Sequence, residues 1–497
     1  MENAGGRNMV NHNLAYKFHD LFEVEDIKIK ETPLKWTTIS LSDVLVRGKR
    51  LEASVFDVEA KQAYILIKNS KFEKVDLISL SGPVERAHYG SRLKRNYILK
   101  NDNQAIGFIG SSEMLDVKPR PEKYMVDDQR VSDLHVAKGT VLISRSGTIG
   151  NISFVNNTLS KLLISEHAIR LECREYPGYV YSYLKTKTGQ ALIKANIYGA
   201  VIQQIEPEHL STIPIPNAPS KIKNKINTLI VKSYELRDES NELIDTATNL
   251  LINELQLPPI EEFWSDSSKS VETFDVKLSD INKRIDASYH VPIINKIIEH
   301  LHQQAKEVID VGDDRISKSV ILPGRFKRIY VDEGYGRIFI GGKQLGELDP
   351  SNKKYLSFVH HGKRIEEQLE LHENMTLITC SGTIGKVALV GKHWENWAAN
   401  QHIIRIIPAS KDIAGYLNIF LQSSYGYYLI TRFTYGSVVD EIDDNHVRQI
   451  PIPILKNPII QQRINDLALQ ANEKRYEAYK LEQEALRIMN EEVIYAK

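Results

Sequence analysis

Two long stretches of the chain carry apolar or small residues at alternating spacings of four and three positions. The first runs from Ser220 to Leu255 and the second from Asn457 to Val493. This spacing is typical of a coiled-coil seam, and about 36 residues at ~1.5 Å each predict helices about 54 Å long. The seam positions are Ile222, Ile226, Leu229, Ser233, Leu236, Ser240, Leu243, Ala247 and Leu250 in the first stretch, and Ile460, Ile464, Leu467, Ala471, Lys474, Ala478, Leu481, Ala485 and Ile488 in the second.

So narrow a stripe is buried most simply against a second helix, because a helix that packs on a domain usually has a wider apolar face. We therefore expect the two helices to pair with each other. The alternative is that each helix packs on its own domain. Both seams weaken in their middles, at Ser233 and Ser240 in the first helix and at Ala471 and Lys474 in the second.

Outside these helices the apolar residues form short β-branched runs bounded by Gly, Asn, Asp and Pro. The runs at 139–144 and 375–379 predict strands of an α+β domain rather than a parallel doubly wound sheet. Helical spacing appears at 178–196 and 413–433. The stretch Thr32–Val44 predicts an entering strand and turn, and Thr273–Ile281 repeats this opening.

The chain contains an internal repeat. The sequence Ser-Gly-Thr-Ile-Gly occurs at 146–150 and again at 381–385, an offset of 235 positions. The segment 167–171 returns at 402–406 with the same offset, and an Ile-Pro-Ile-Pro run at 213–216 returns at 450–453. An ordered series of matches at a nearly constant offset indicates a duplicated unit. We call the two units the first copy and the second copy.

The repeat and its punctuation also predict the domain boundaries. Ile-Pro-Ile-Pro cannot lie in a central strand because proline lacks the backbone N–H, so it marks the exit from each copy. Pro258 and Pro259 end the first long helix, and a serine-rich linker follows. We predict an N-terminal extension at 1–29, the first copy at 30–217, its helix at 218–257, a linker at 258–272, the second copy at 273–455 and its helix at 456–497.

Composition excludes several classes of protein. The 497 residues are 42% hydrophobic and 26% charged, which is ordinary for a globular protein of two to four domains. No apolar run approaches the ~20 residues of a membrane span, and no secretory signal is visible. The two cysteines, Cys173 and Cys380, occupy non-equivalent positions of the repeat, which argues against a disulfide framework. We therefore expect a cytoplasmic protein with no membrane partner.

The formal net charge is zero, but the charges are unevenly distributed. No acidic residue lies between Glu85 and Asp102, or between Asp314 and Asp332. Each interval combines several arginines and lysines with aromatic residues, as expected of a protein that contacts nucleic acid once per copy. The alternative is two solvated loops of a neutral protein.

Catalytic motifs are not evident. The segment from Gly382 to Lys386 resembles a phosphate-binding loop, but its spacing is wrong and the first copy has Asn151 in place of Lys386. His167 and His402 precede equivalent strands without partners at metal-ligand spacing. We find no nucleophile elbow and no dinucleotide fingerprint. We therefore predict no catalytic residue and no metal site.

The repeated Ser-Gly-Thr-Ile-Gly turn is better explained as surface architecture. Its glycines permit positive φ and close approach of another backbone, while its hydroxyl groups suit phosphate oxygens. The alternative is a tight hairpin that binds nothing. Arg145 favours the contact hypothesis in the first copy, whereas Cys380 at the matching position weakens it in the second.

Two divergent α+β copies, each with this strand turn and an Ile-Pro-Ile-Pro exit and each followed by a long helix, resemble the specificity subunit of type I restriction-modification systems. The likeness extends from about Trp36 to Val493. It implies tandem target recognition domains that each read one half of a split DNA sequence. It also implies that the two helices pair as an antiparallel coiled coil that sets the distance between the halves.

The resemblance implies a chain with no catalytic activity and no cofactor of its own. Such a subunit docks methyltransferase subunits, which bring S-adenosylmethionine and modify adenine. It also docks restriction subunits, which bring ATP-driven translocation and cleavage, with ATP and magnesium held on those partners. The acidic residues Asp440, Glu441, Asp443 and Asp444 depart from the usual pattern and leave the DNA role of their loop open.

Double-stranded DNA is thus the predicted ligand. Arginine suits guanine edges, so we expect replacing Arg95 with Ala to change tolerance at the first half-site only. Two alternatives remain, an enzyme with an undetected nuclease or methyltransferase centre and an interaction protein without a nucleic acid partner. A further variant of the DNA-recognition hypothesis is that the chain is the recognition subunit of a related two-subunit restriction-methylation system. The predicted DNA contacts are Arg86, Arg92, Lys94, Arg95, Arg145, Ser146 and Thr148 in the first copy, and Arg325, Lys327, Arg328, Lys343, Ser381 and Thr383 in the second.

Overall fold

A computed structural model describes residues 38–46, 56–199, 203–263, 274–281, 284–350 and 352–496. The chain divides into two compact units, Met1–Glu52 and Ala53–Lys497. The described part of the N-terminal unit holds one short helix. Everything that follows concerns the second unit, which contains both copies of the repeat and both long helices.

The secondary structure mixes helices and strands throughout, which confirms the predicted α+β class. The helices are α1 Leu41–Val46, α2 Val58–Lys68, α3 Asn157–Ser160, α4 Pro177–Lys185, α5 Lys187–Lys194, α6 Pro207–Ser211, α7 Ser220–Glu254, α8 Pro292–Gln304, α9 Phe358–Arg364, α10 Lys411–Gln422, α11 Ser424–Thr431, α12 Asp444–Arg448 and α13 Pro458–Ile488. The strands of the first copy are β1 Lys74–Asp76, β2 Val84–His88, β3 Ala105–Ile109, β4 Lys123–Val126, β5 Val141–Ser144, β6 Ile152–Phe154, β7 Leu163–Ile164, β8 Ala168–Cys173 and β9 Pro214–Pro216. Those of the second are β10 Glu307–Asp310, β11 Ser317–Ile321, β12 Tyr330–Val331, β13 Gly336–Ile340, β14 Lys354–Ser357, β15 Thr376–Thr379, β16 Val387–Leu389, β17 Ala398–Ala399, β18 Ile403–Pro408 and β19 Pro451–Ile454.

The two copies have matching sheets, except that the smaller sheet of the second copy has one more strand, β12. In the first, a four-stranded antiparallel sheet has the order β2-β8-β5-β6, and a smaller sheet has the order β4-β3-β7 with β3 and β7 parallel. In the second, the corresponding orders are β11-β18-β15-β16 and β12-β14-β13-β17. The Ile-Pro-Ile-Pro runs form β9 and β19, each in a separate two-stranded ladder with β1 or β10. Proline is thus kept out of the central strands, as predicted.

A buried arginine joins the two sheets of each copy. Arg170 on β8 and Arg405 on β18 are almost completely buried, and each guanidinium donates only to backbone carbonyl oxygens. Arg170 donates to the carbonyl oxygen of Ile164 on the neighbouring sheet at 2.7 Å. Burial lowers the pKa of Arg170 to about 10 and that of Arg405 to about 9. The sequence shows both residues at the repeat offset without indicating this role.

The two long helices pair in antiparallel orientation. Lys225 lies near Glu492, Ser233 donates to the carbonyl oxygen of Ala478 at 2.8 Å, and Glu239 accepts from Lys474 at 2.5 Å. As residue numbers rise along α7, those of their partners fall along α13, which confirms the predicted antiparallel coiled coil. Three of the four residues in the weak middles are buried, since their small side chains allow close approach of the two helices, while Lys474 is half-buried and pairs with Glu239. Ser233, Ser240, Ala471 and Ala478 have no exposed surface.

Each long helix also packs on its own copy, so its buried face is wider than the predicted seam. Asn227 on α7 accepts a hydrogen bond from the backbone N–H of Gly178, and Asn465 on α13 accepts one from Gly415. A Cβ atom at Gly415 would lie 2.4 Å from the carbonyl oxygen of Asn465, so only glycine permits this contact. Both arrangements considered from the sequence are therefore present, since each long helix packs against the other and also against its own copy.

Four local predictions need correction. The entering strand at Thr32–Val44 is wrong where the structure describes it, because Leu41–Val46 is helical, while 32–37 lie outside the described residues. In the second copy, Leu278–Asp280 is a 3-10 turn instead of a strand. The helix predicted at 178–196 is two helices, because Thr186 adopts an extended conformation and caps α5 with its hydroxyl group. Ser423 divides α10 from α11 in the same way.

Candidate functional site

The Ser-Gly-Thr-Ile-Gly segment is the hairpin turn that connects β5 to β6 in the first copy and β15 to β16 in the second. Gly147 and Gly382 have φ of 76° and 78°, and Gly150 and Gly385 have φ of 87° and 85°. The last residue of the strand that enters each turn closes the turn with a side-chain oxygen. Ser144 Oγ accepts from the N–H of Asn151 at 2.9 Å, and Thr379 Oγ1 accepts from that of Lys386 at 2.9 Å.

The tips of both turns face open space. No atom lies within 4 Å of the place where a Cβ at Gly147 or Gly382 would stand. Thr148 and Thr383 are exposed, while Ser146 and Ser381 are half-buried. Ser146 Oγ lies 2.7 Å from His167 Nδ1, which gives this histidine a structural hydrogen bond. The tip hydroxyl groups of Thr148 and Thr383 are therefore available to a ligand.

The basic segment of the first copy contains both free and paired cations. Arg86 lies on β2, and it is exposed together with Arg92 and Lys94, with no ion pair to other described residues. Arg95 instead forms a two-pronged salt bridge with Glu166, both N–O distances being 2.8 Å. Its guanidinium also lies 4.9 Å from the centre of the Phe108 ring. The Arg95 contact with DNA stays a prediction, and it would compete with this internal pairing.

Arg145, predicted as a DNA contact, has an internal role in this structure. Only 4% of its surface is exposed. Its guanidinium forms a salt bridge with Glu206, donates to Gln204 Oε1 at 3.1 Å and lies 4.0 Å from the centre of the Tyr89 ring. These contacts fill the space beside the turn. The sequence could not show them, because every partner lies more than fifty residues away.

The basic segment of the second copy is more exposed. Lys327 and Arg328 project into solvent, as does Lys343, which lies in a short 3-10 turn. Arg325 is also exposed, and its guanidinium donates to Glu441 at 2.7 Å. Ser381 Oγ approaches the same carboxylate at 3.4 Å. The basic segment and the hairpin turn therefore meet at Glu441.

Three of the four acidic residues in the loop after Tyr435 have structural partners. Asp443 caps α12 by accepting from the N–H of His446 at 2.8 Å, and Asp444 lies 3.8 Å from Arg448. Glu441 pairs with Arg325, and its backbone bridges to both Tyr435 and Ser381. In the first copy Gln204 makes the equivalent bridges to Tyr198 and Ser146. The carboxylates of Glu441, Asp443 and Asp444 are thus paired locally, while Asp440 is exposed.

A cavity of about 250 Å³ lies beside the turn of the second copy. Its wall combines charged, polar and aromatic groups with the aliphatic side chains of Leu322 and Ile442. Burial raises the pKa of the Cys380 thiol to about 12, so this group is neutral. The polar and reactive residues of the wall are Arg325, Cys380, Ser381, Gln401, His402, Tyr435 and Glu441.

The two copies contact each other directly, which the sequence did not indicate. Asp116 accepts a salt bridge from Lys386 at 2.9 Å, and Val117 N–H donates to the carbonyl oxygen of Gly346 at 2.8 Å. Asp116 and Glu347 form an antiparallel bridge between the copies. The sequence does contain one difference that bears on this contact, since the second copy has Lys386 where the first has Asn151. From the sequence alone, this difference served only as an argument against a phosphate-binding loop.

A second missed feature is a buried cluster of charges where α13 crosses the first copy. Glu482 on α13 is fully buried and forms salt bridges with Lys185 of α4 and Arg237 of α7. Tyr181 donates to the same carboxylate at 2.5 Å. Burial alone would raise the pKa of Glu482, but the two cations lower it to about 2. The cluster fixes the register of α13 against both α7 and the first copy.

Within the part of the chain that the structure describes, no group of three or more His, Cys, Asp or Glu side chains is placed to hold a metal ion. Both cysteines are free thiols. None of the described helices combines the length and the hydropathy that crossing a membrane requires.

Comparison with known proteins adds a family to this geometry. Residues 343–471 match the model of the Type I restriction modification DNA specificity domain. The matched stretch begins just after β13 and ends within α13, so it includes the turn, part of the cavity wall and nearly half of the second long helix. It confirms the resemblance drawn from the repeat and its motifs. No curated protein sequence matches the chain.

Several solved structures resemble the chain at low similarity. One is the type I restriction-modification S subunit from M. genitalium, with 14% identity, a TM-score of 0.32, and coverage of 85% of this chain and 95% of that one. Another is the HsdS subunit from Thermoanaerobacter tengcongensis, with 13% identity, a TM-score of 0.27, and coverage of 86% and 97%.

Proposed function

We propose that this chain is the DNA-recognition subunit of a type I restriction-modification system and that it reads a split DNA site, one half with each copy. The observation that carries the proposal is the antiparallel pairing of α7 with α13. Pairing of this kind relates the two copies by an approximate two-fold axis, as in dimeric repressors that bind two half-sites. Because both copies lie on one chain, their surfaces can differ and the site need not be palindromic.

The exposed cations and the hairpin tips support DNA as the ligand. Arg92 and Lys94 in the first copy, and Lys327 and Arg328 in the second, are exposed beside loops that also carry aromatic residues. Phosphate contacts from such residues supply affinity and position, while contacts to base edges supply specificity. The exposed hydroxyl groups of Thr148 and Thr383 add donors at equivalent places in the two copies.

The proposed partners follow from the same function. Methyltransferase subunits would bring S-adenosylmethionine and modify adenine, and restriction subunits would bring ATP and magnesium. This chain would supply geometry and recognition without a reactive side chain or a cofactor of its own. Its working place would then be the cytoplasm, where cellular DNA meets the assembled complex.

Sequencing of modified adenines tests the proposal. The chain is expressed together with the methyltransferase subunits of its host in cells that lack other adenine methylation. We expect one bipartite motif with a fixed spacer, which disappears when the chain is omitted. A motif without two halves, or modification that persists without this chain, would contradict the proposal.

Two binding measurements separate the alternatives. Affinity of the purified chain for a duplex with the motif should fall steeply with added salt, because neutralised phosphates release counterions. An interaction protein without a nucleic acid partner would show no such dependence. Titration of S-adenosylmethionine into the isolated chain should give no binding signal, whereas an undetected methyltransferase centre would bind it.

A further inference from the structure

The cavity in the second copy lies where Arg145 and Tyr89 of the first copy are replaced by smaller residues. Arg145 fills the space beside its turn and covers Tyr89, whereas the matching residue of the second copy is Cys380. Strand register places Leu322 where the first copy has Tyr89, since His88 pairs with Arg170 and Ile321 with Arg405. Smaller side chains at both positions leave the volume of about 250 Å³ open.

A further replacement leaves a polar group without a partner. Glu166 of the first copy is satisfied by Arg95, which lies over Phe108. The matching residue of the second copy is Gln401, and Phe326 takes the place beside Phe339. Gln401 is only 7% exposed, and its Oε1 has no hydrogen-bond partner among the described residues. Because Gln401 lines the cavity, turning its amide toward the open space would let a ligand donate to this acceptor and remove the free-energy cost of leaving it unpaired.

The wall of the cavity suits a neutral, planar, polar ligand. Arg325 and Glu441 neutralise each other, so the site has no net charge that would select a phosphate. Tyr435 offers an aromatic surface, and Leu322 with Ile442 offers apolar contact. The volume lies just below the roughly 300–1,000 Å³ of sites for drug-sized ligands, which matches a single heterocycle. A nucleobase has the required shape, donors and acceptors.

An exposed apolar tip stands beside the cavity. Tyr435 and Glu441, which both line the cavity, pair with each other at the base of a loop. Val438 at the tip of this loop is 93% exposed. DNA-binding proteins that unstack a base step insert an apolar side chain of this kind between the bases.

We propose that the second copy holds one extruded nucleobase of its half-site in this cavity, with Val438 filling the gap left in the duplex. This inference rests on the proposed function. The grooves of the duplex are concave, so only protein groups that protrude can reach a stacked base. The cavity is a recess in the protein surface and therefore cannot contact a base that stays stacked. What enters a recess must protrude from the DNA, and an extruded base does so at a cost of a few kcal/mol.

Fluorescent bases test the proposal directly. Duplexes with the motif found by methylation sequencing carry 2-aminopurine or pyrrolocytosine at each position of the second half-site in turn. The full chain is then added without its methyltransferase subunits, because adenine methyltransferases extrude their own target base. We expect fluorescence to rise several-fold at one position, since an extruded analogue escapes the quenching of its stacked neighbours. Analogues in the first half-site should stay quenched.

Three variants identify the cavity as the cause. Cys380→Arg copies the first copy and should abolish the rise and weaken motif binding at least ten-fold, whereas Cys380→Ser preserves the volume and should keep both. Val438→Ser changes an exposed side chain that the fold does not need, and it should reduce the rise by half or more. If Cys380→Arg does not fold, the fluorescence rise measured with Val438→Ser still tests whether the loop beside the cavity takes part in extruding the base.

The outcomes separate this proposal from the function on which it rests. Motif-specific binding with every analogue quenched would overturn the cavity proposal and leave the DNA-recognition function standing. A rise that Cys380→Arg and Val438→Ser both leave intact would also overturn it, because the base would then be extruded elsewhere. Absence of any preference for the motif would overturn the DNA-recognition function itself.

Discussion

Asp116 and Glu347 stand at equivalent positions of the two copies, and their backbones pair with each other where the copies meet. They are 231 positions apart, as are Phe108 and Phe339. The pair therefore lies on the approximate two-fold axis of the molecule. Its symmetry is broken by the cations, since Lys386 neutralises Asp116, while Asn151 occupies the position from which a lysine would reach Glu347.

The missing cation predicts a pH dependence. Burial raises the pKa of the Glu347 carboxyl to about 7, and the nearby Asp116 adds to the rise. The folded chain therefore binds a proton that the unfolded chain releases near pH 4.5. The free energy of unfolding should fall as pH rises from about 4.5 to about 7. Urea unfolding measured across this range checks the sign.

Asn151→Lys should supply the missing partner of Glu347. By the symmetry of the copies, its ammonium group would reach this carboxylate as Lys386 reaches Asp116. We expect a gain of about 1 kcal/mol above pH 7 and a flatter pH profile. Lys386→Asn, the converse change, should lower stability by leaving Asp116 buried without its cation. A gain of equal size at pH 5 and pH 8 would show that the lysine does not act through Glu347.

The buried cluster around Glu482 should be sensitive to loss of charge. Glu482→Gln leaves Lys185 and Arg237 buried without a carboxylate, and we expect unfolding to become easier by about 3 kcal/mol. Glu484→Gln, two positions away on the exposed face, is the matched control, and its urea midpoint should not move. Equal effects of the two substitutions would mean that the cluster does not stabilise the fold.

The lowered pKa of Glu482 also predicts how the free energy of unfolding falls at low pH, which we call the acid limb. The pKa of Glu482 is lowered to about 2, below its usual value near 4.5, so its contribution to stability is complete above pH 4.5. That contribution is lost as pH falls through 4.5 toward 2. The acid limb should therefore be shallower in Glu482→Gln than in the unmodified chain, and an unchanged slope would assign it to other carboxylates.

Lengthening both long helices tests how the spacing is set. One heptad inserted into α7 and one into α13 keep the seams in register and add about 10 Å, equal to about three base pairs. We expect the spacer of the methylated motif to grow by about three base pairs. The direct contact between Val117 and Gly346 must break, so stability should fall. An unchanged spacer would mean that the contact between the copies determines the distance.

The exposed cations should act on separate half-sites. Replacing Arg92 and Lys94 with Ala should weaken DNA binding, lower the salt dependence by about one unit for each phosphate that is no longer neutralised, and relax specificity only in the first half. Replacing Lys327 and Arg328 should affect only the second half. Lys232→Ala, on the exposed face of α7, serves as the control. Methylation motifs relaxed equally in both halves would contradict this division.

Arg95 is expected to behave differently from these exposed residues. Arg95→Ala removes the partner of Glu166 as well as a cation, so it should lower the unfolding midpoint in addition to relaxing the first half-site. A variant with relaxed specificity and unchanged stability would show that the internal salt bridge contributes little. Methylation sequencing and thermal unfolding of the same protein distinguish the two effects.

Much of the fold was predictable because its signals are local. The seam spacing predicted both long helices, proline placed the exits outside the central strands, and glycine marked the two turns whose φ is positive. Boundaries at Thr186 and Ser423 were missed because a side-chain cap interrupts a helix without disturbing its apolar spacing. The entering strand failed since a six-residue helix leaves too short a pattern to distinguish the two.

The sequence by itself determined the duplication, the pairing helices and the turns, because periodicity and backbone preference act over a few neighbouring residues. Only the tertiary structure decided which cations are free to meet a ligand. Arg145, Arg95 and Lys386 are bound to carboxylates that lie at least 61 positions away along the chain, and the chain order contains no sign of these pairs. Ion pairs and cavities depend on segments that meet only after folding. An arginine is therefore exposed in the second copy, as at Arg325, and buried in the first, as at Arg145.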